Sequence, residues 1–144
     1  MLGAQAELEA ALGNVTVNAA VGRQASTTID ILKQLRAAGQ LGNVVVVQVG
    51  NNGPITSQQF DELMAPLAGV KRVVVINLRE PRPWQDSNNA VLADGVRRHP
   101  NAVLVDWYGI SAHHPEYFWG DGVHLRPAGA RAYAAAVAAA VRSP

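Results

Sequence analysis

Two stretches of the chain, VVVVQVG at 44–50 and RVVVINL at 72–78, are β-branched with almost no polar residue interleaved. A strand with one wet face alternates apolar and polar residues, because successive side chains point to opposite sides of a sheet. Unbroken apolar runs this short therefore belong to strands covered on both faces, the pattern of a parallel sheet between helices. Two more runs, VTVNAAV at 15–21 and AVLVDWY at 102–108, complete a set of four expected strands.

Helical patterns fill the intervals. From Thr27 to Ala38, Ile29, Leu32 and Leu35 form an apolar stripe, with Ser26 or Thr27 as the expected cap and Gly39 as the stop. Phe60, Leu63, Met64 and Leu67 repeat the helical spacing behind a Thr56/Gln59 capping box. A third helix is expected from about Asp86 to His99, closed by Pro100, and a last one from Pro127 through the alanine-rich tail to Val141. This alternation predicts an α/β fold with a parallel sheet in one domain spanning 1–144. One helix, about Gly3 to Leu12, has no strand ahead of it, so the first βα unit reads as lacking its strand.

Composition excludes several functions. Twelve Lys and Arg nearly balance eleven Asp and Glu, for a net charge of +1, so no global field draws the chain to nucleic acid or anionic membrane. There is no cysteine, which removes disulfides, thiolate metal sites and cysteine nucleophiles. The N-terminal MLGAQAELEA does not read as a signal peptide, and a cytoplasmic location is the default for the chain as given.

In an open α/β sheet, ligands bind beyond the carboxyl ends of the strands. Gly22 follows the first expected strand, GNNGP with Asn52 the second, REPRPW with Arg82 and Trp84 the third, and a loop carrying Asp121 and His124 the fourth. A histidine base needs one ring nitrogen towards its nucleophile and the other held by an acceptor, and a carboxylate three residues earlier across a glycine turn can supply it. A backbone N–H at a glycine and a side-chain amide are suitable oxyanion donors, although both residue types are also ordinary turn formers. REPRPW reads either as a substrate platform or as a proline-stiffened loop around a partly buried Trp84. His113, His114, Asp121 and His124 match no common zinc spacing, so no metal is expected, and His99 reads as a helix-end cation. Of the five serines none sits at a sharp strand-to-helix junction, and Ser26, the nearest to the rim, reads as a helix cap.

In these blocks the chain resembles the SGNH (GDSL-type) hydrolases: DGVH is similar to their Asp-x-x-His block, VGR to their glycine block and GNN to their Gly-x-Asn block. MLGA, VGRQ, GNNGP, PRPW, VDWY and DGVHLRPAGA in order resemble, more closely, the SGNH domain fused to membrane O-acyltransferases that modify cell-surface glycans. The resemblance implies a three-layer α/β/α, flavodoxin-like fold and a Ser-His-Asp site without a cofactor. His124 would be general base, Asp121 its orienting acid, and Gly22 and Asn52 the oxyanion donors, with Arg23, Arg82 and Trp84 near the substrate. It also implies an acylated or acyl-accepting carbohydrate as partner and an extracytoplasmic location for a membrane-fused parent. The family's serine lies in a Gly-Asp-Ser block that ends the first strand, upstream of a segment like MLGA. The expectation is therefore an N-terminally truncated domain without its nucleophile, inactive alone and prone to self-association at an open sheet edge. The alternatives are a complete esterase that uses Ser26, and a glycan-binding or interaction domain that does no chemistry.

Overall fold

The computed structural model describes residues 1–143. Its sheet has three parallel strands in the order β1 (Val44–Val47), β2 (Arg72–Ile76) and β3 (Ala102–Val105). The helices are α1 (Gln5–Leu12), α2 (Ala25–Ala37), α3 (Ser57–Met64), α4 (Gln85–Arg98), α5 (Trp107–Ser111) and α6 (Pro127–Arg142). The class is α/β, as the apolar runs predict.

The central strand explains those runs. Val73, Val74, Val75 and Ile76 are all fully buried. Val73 and Val75 face a core made with Ile29 and Leu32 of α2, Phe60 and Leu63 of α3, and Leu92 of α4. Val74 and Ile76 face the opposite core, with Leu8 of α1 and Tyr133 and Val137 of α6. A polar residue at any of the four would enter one core or the other, at the loss of about 1.5–3 kcal/mol of apolar burial.

Three expectations are corrected. Residues 15–21 form no strand. Val15, Val17 and Ala19 are half-buried and Thr16, Asn18 and Ala20 exposed, so the segment keeps a period of two. A strand needs a neighbour about 4.8 Å away to take its backbone groups. Among the described residues none lies alongside, and the backbone bond here is the local one from Val15 N–H to the Gly13 carbonyl. Likewise, β1 is an edge of the sheet, with β2 as its one partner. The expected strand 102–108 stops at Val105, because the Asp106 side chain accepts from Gly109 N–H at 2.9 Å and winds the next residues into α5. Helix α2 starts at Ala25 behind Gln24, which places Ser26 and Thr27 inside the first turn, where neither is the cap. The Thr56/Gln59 capping box forms as expected.

Candidate active site

The loop from Tyr117 to Arg126 folds back on itself as a short hairpin. Phe118 and Leu125 form an antiparallel bridge, Trp119 N–H donates to the His124 carbonyl at 2.8 Å, and Arg126 N–H donates to the Tyr117 carbonyl at 2.8 Å. Side chains alternate across such a pair. Phe118 is buried with its ring tilted against Trp107, which in turn meets Tyr133 edge-on, while Trp119, His124 and Arg126 are exposed. The hairpin sits tightly on α6: a Cβ at Gly129 would lie 2.2 Å from the Tyr117 carbonyl oxygen.

Asp121 organises the tip. Its Oδ1 accepts from the backbone N–H groups of Val123 (2.9 Å) and His124 (3.0 Å), and its Oδ2 lies 2.6 Å from His124 Nδ1. Gly122 supplies the left-handed backbone that this turn needs, at φ +69°. The two backbone N–H groups and the imidazole hold the Asp121 carboxyl down at about 2, so it is ionised at neutral pH. An ionised acceptor on Nδ1 selects the tautomer with its proton there and leaves Nε2 as the basic nitrogen. The His124 side chain is 78% exposed, so Nε2 is accessible.

The remaining rim is tied together by side chains. Asn52 donates from Nδ2 to the Arg23 carbonyl at 3.1 Å, and Gln24 donates back to the Asn52 carbonyl at 2.9 Å, joining the VGRQ and GNNGP segments. Gly22 is exposed, with open space where a Cβ would stand. Arg23 turns to Asn18, donating to its carbonyl and side-chain oxygens at 2.7 and 2.8 Å. Arg82 is exposed, whereas Trp84 is half-buried with its indole nitrogen turned inward. Asn51 neighbours Glu80, and a Cβ at Gly122 would lie 3.9 Å from Pro81. The structure thus pairs Asp121 with His124 and Gly22–Arg23 with Asn52, and the 79–84 loop stands between the pairs.

The serines lie elsewhere. Ser111 is buried and donates to the Trp107 carbonyl at 2.6 Å, Ser87 donates to that of Trp84, and Ser143 to that of Ala140. Ser26 is exposed on the first turn of α2. None of the five hydrogen-bonds His124 among the described residues. Of the other histidines, His114 pairs with Glu116 at 2.7 Å and His99, at the end of α4, with Asp61 at 3.1 Å.

Residues missed by sequence reasoning support the rim. Asn88 is 1% exposed, accepts from Ile55 N–H at 2.9 Å, and donates to the Gly50 and Gly53 carbonyls at 2.9 and 3.0 Å. It clamps GNNGP, and Gly50 has no room for a Cβ, which would approach Asn88 Nδ2 to 2.8 Å. Asn89 bridges the N–H and carbonyl of Leu78, and Asn77 joins Asp106 to Tyr108 N–H. Their signal was slight: two adjacent asparagines inside a helix, where that residue is a poor helix former.

Glu80 is the other. It is 3% exposed, and burial pushes its carboxyl above the usual carboxylate range, partly opposed by Asn51, Trp84 and Arg82. Its Oε1 is buried without a hydrogen-bond partner. A raised folded-state pKa means that the stability tied to the protonated form is fully present below about 4.5 and is lost as pH rises through the folded value. Urea unfolding of Glu80→Gln is therefore expected to match the parent near pH 4 and to show a higher midpoint at pH 7.5. Equal midpoints at both pH values would refute the assignment.

A parallel α/β/α domain with Asp-x-x-His closed on itself beyond the sheet shares the fold of a solved peptidoglycan O-acetyltransferase domain and of a putative GDSL-like lipase. No family model matches the chain. It is 34% identical over 143 residues to a putative peptidoglycan O-acetyltransferase, YrhL, of Bacillus subtilis, covering 99% of this chain and 22% of that protein. It is 36% identical over 135 residues to the peptidoglycan O-acetyltransferase OatA of Listeria monocytogenes, covering 94% of this chain and 21% of that one. The chain thus spans about one fifth of the length of these relatives. In fold it matches the C-terminal catalytic domain of Streptococcus pneumoniae peptidoglycan O-acetyltransferase A, solved with a methylsulfonyl adduct, at a TM-score of 0.82 and 24% identity over 98% of this chain and 87% of that one. A putative GDSL-like lipase from Parabacteroides merdae follows at 0.59 and 15% identity over 94% and 78%.

Proposed function

We propose that this domain carries acetyl transfer to, or ester hydrolysis on, a cell-wall glycan through a Ser-His-Asp site. The observation that carries the reading is the 2.6 Å contact between ionised Asp121 and His124 Nδ1, with Nε2 free. In the proposed cycle, His124 Nε2 takes the proton of a serine hydroxyl while the serine oxygen attacks the acyl carbonyl. The oxyanion is received by Gly22 N–H and the Asn52 amide. Collapse expels the donor's oxygen, which takes the proton back from His124, and leaves an acyl-serine. A sugar hydroxyl or water then attacks the ester, again giving its proton to His124, which passes it to the departing serine oxygen, so that serine and base are both regenerated. Arg23, Arg82 and Trp84 border the substrate side of this rim.

The serine is assigned to a Gly-Asp-Ser segment preceding Met1 in a longer protein. Two features support this: among the described residues no serine bonds to His124, and β1 has an edge without a partner on which a further strand would lie, with 15–21 as the next in line. The parent then joins this domain to a membrane acyltransferase portion and works outside the cytoplasm; no helix among the described residues is long and apolar enough to cross a membrane. In the chain alone, the open edge favours self-association. A fluorophosphonate probe tests the assignment. Labelling is expected on the upstream serine of the longer form and to be lost on His124→Ala, with no label on residues 1–144 alone. Label on Ser26 would overturn it in favour of a complete esterase, and glycan binding with no label on either form would make this a binding module.

A further inference from the structure

The hairpin places more than His124 on its outer face. Trp119 stands opposite His124 across the pair, and Arg126 lies two residues beyond on the same side. Trp119 is 53% exposed, whereas Trp107 is buried and Trp84 half-buried, so Trp119 is the indole offered to solvent. The guanidinium of Arg126 lies over its ring, 4.7 Å from the centroid. A cleft of about 380 Å³ opens here, walled by Arg79, Phe118, Trp119, Gly120 and Arg126. Arg79 and Gly122 also border a neighbouring cleft of about 270 Å³ beside Glu80 and Pro81, so the two clefts adjoin at the turn that carries Asp121.

Charge selects the occupant. Arg126 stacks on Trp119 and Arg79 on Tyr108, the latter at 5.4 Å, and among the described residues neither guanidinium is within ion-pair distance of a carboxylate. A guanidinium stacked on an aromatic face keeps its N–H edge free for a planar acceptor, and a carboxylate fits that fork in two parallel bonds. An exposed indole is a flat, weakly hydrated surface on which the C–H face of a pyranose ring packs.

Building on the glycan reading above, we propose that Trp119, Arg126 and Arg79 form a saccharide subsite beside His124 that stacks one sugar ring on the indole and receives a carboxylate substituent of the glycan on the arginines. It assigns the sugar platform to Trp119, where sequence alone pointed to Trp84. Such a subsite would hold an acidic sugar next to the reacting residue and set which ring of the chain is presented.

The test is a binding titration, which needs no chemistry and so is independent of the catalytic reading. Residues 1–144, labelled with nitrogen-15, are titrated with chitotetraose and with a peptidoglycan tetrasaccharide bearing free lactyl carboxylates, and the indole N–H signals are followed. The Trp119 signal is expected to shift with both, with at least tenfold tighter binding of the acidic saccharide. Arg126→Gln should bring the two affinities together, Trp119→Ala should weaken both at least tenfold, and Trp119→Tyr should restore part of the loss. A Trp119 signal unmoved by either saccharide, or equal affinities in the parent chain, would overturn the subsite and leave the Asp121–His124 assignment standing. Saccharide binding by a longer form that does not react with the fluorophosphonate would do the reverse.

Discussion

Asp121→Asn in a form of the protein that carries the upstream serine is expected to lower kcat for aryl acetate hydrolysis by roughly 10⁴-fold, the cost of the same exchange in a Ser-His-Asp site. The substitution is conservative in shape. Asparagine keeps an oxygen for the Val123 and His124 N–H groups, so the turn at 121–124 should persist. Its amide would then face His124 Nδ1 with a donor where the carboxylate had an acceptor. The imidazole would answer by placing its proton on Nε2, the nitrogen that takes the serine proton in the proposed cycle. Wrong tautomer rather than lost fold is the cause, so KM should move little while kcat collapses, and stability at neutral pH should fall only by what the ionised carboxylate adds over a neutral amide. The pH dependence separates the two effects. Asp121 sits at about 2 against an ordinary 3.8, so its stabilising contribution is present above the ordinary value and is lost as pH falls towards the folded one. The parent's stability should therefore fall between those values more steeply than the variant's. A loss of kcat below tenfold would remove Asp121 from the orienting role.

How far the sequence discloses this domain depends on how local each signal is. The unalternating VVVV and VVVI runs report burial on two faces, and both are strands of a doubly covered sheet. The Thr56/Gln59 box and the Asp121–His124 turn are closed by residues three apart, so spacing suffices to find them. VTVNAAV fails for the opposite reason. Its composition and alternation are those of a strand, but strand formation needs a partner elsewhere in the chain, and among the described residues none is present. The Ser26 or Thr27 cap fails through a shift of two or three residues to Gln24, about the ordinary uncertainty of a helix boundary. Glu80, Asn77, Asn88 and Asn89 are the hardest kind. Each is polar and reads as surface until the fold folds a loop over it.

Of these, Asn88 is expected to be the most costly to remove. It is 1% exposed and satisfies three backbone groups at once: Ile55 N–H, the Gly50 carbonyl and the Gly53 carbonyl. Each such group left buried without a partner costs about 1–3 kcal/mol. Asn88→Ala is thus expected to destabilise the domain by roughly 3–5 kcal/mol, allowing for water reaching part of the opened loop. Asn88→Asp isolates the donors from the volume. Aspartate still accepts from Ile55 N–H, but its second oxygen faces the two carbonyls with no proton to give, so it should be almost as damaging at pH 7. It should recover partly at pH 4, where the carboxyl regains a proton to donate. The damage should also spread through the GNNGP loop, which is pinned from below by Asn88 and from above by the exchange of Asn52 with Arg23 and Gln24. Hydrogen exchange is expected to show faster turnover at Ile55 and the surrounding loop, with the hairpin at 117–126 unchanged. Urea unfolding of the two variants at pH 7 and pH 4 checks the energies; an Asn88→Ala loss under 1 kcal/mol would mean that the loop stands without its clamp.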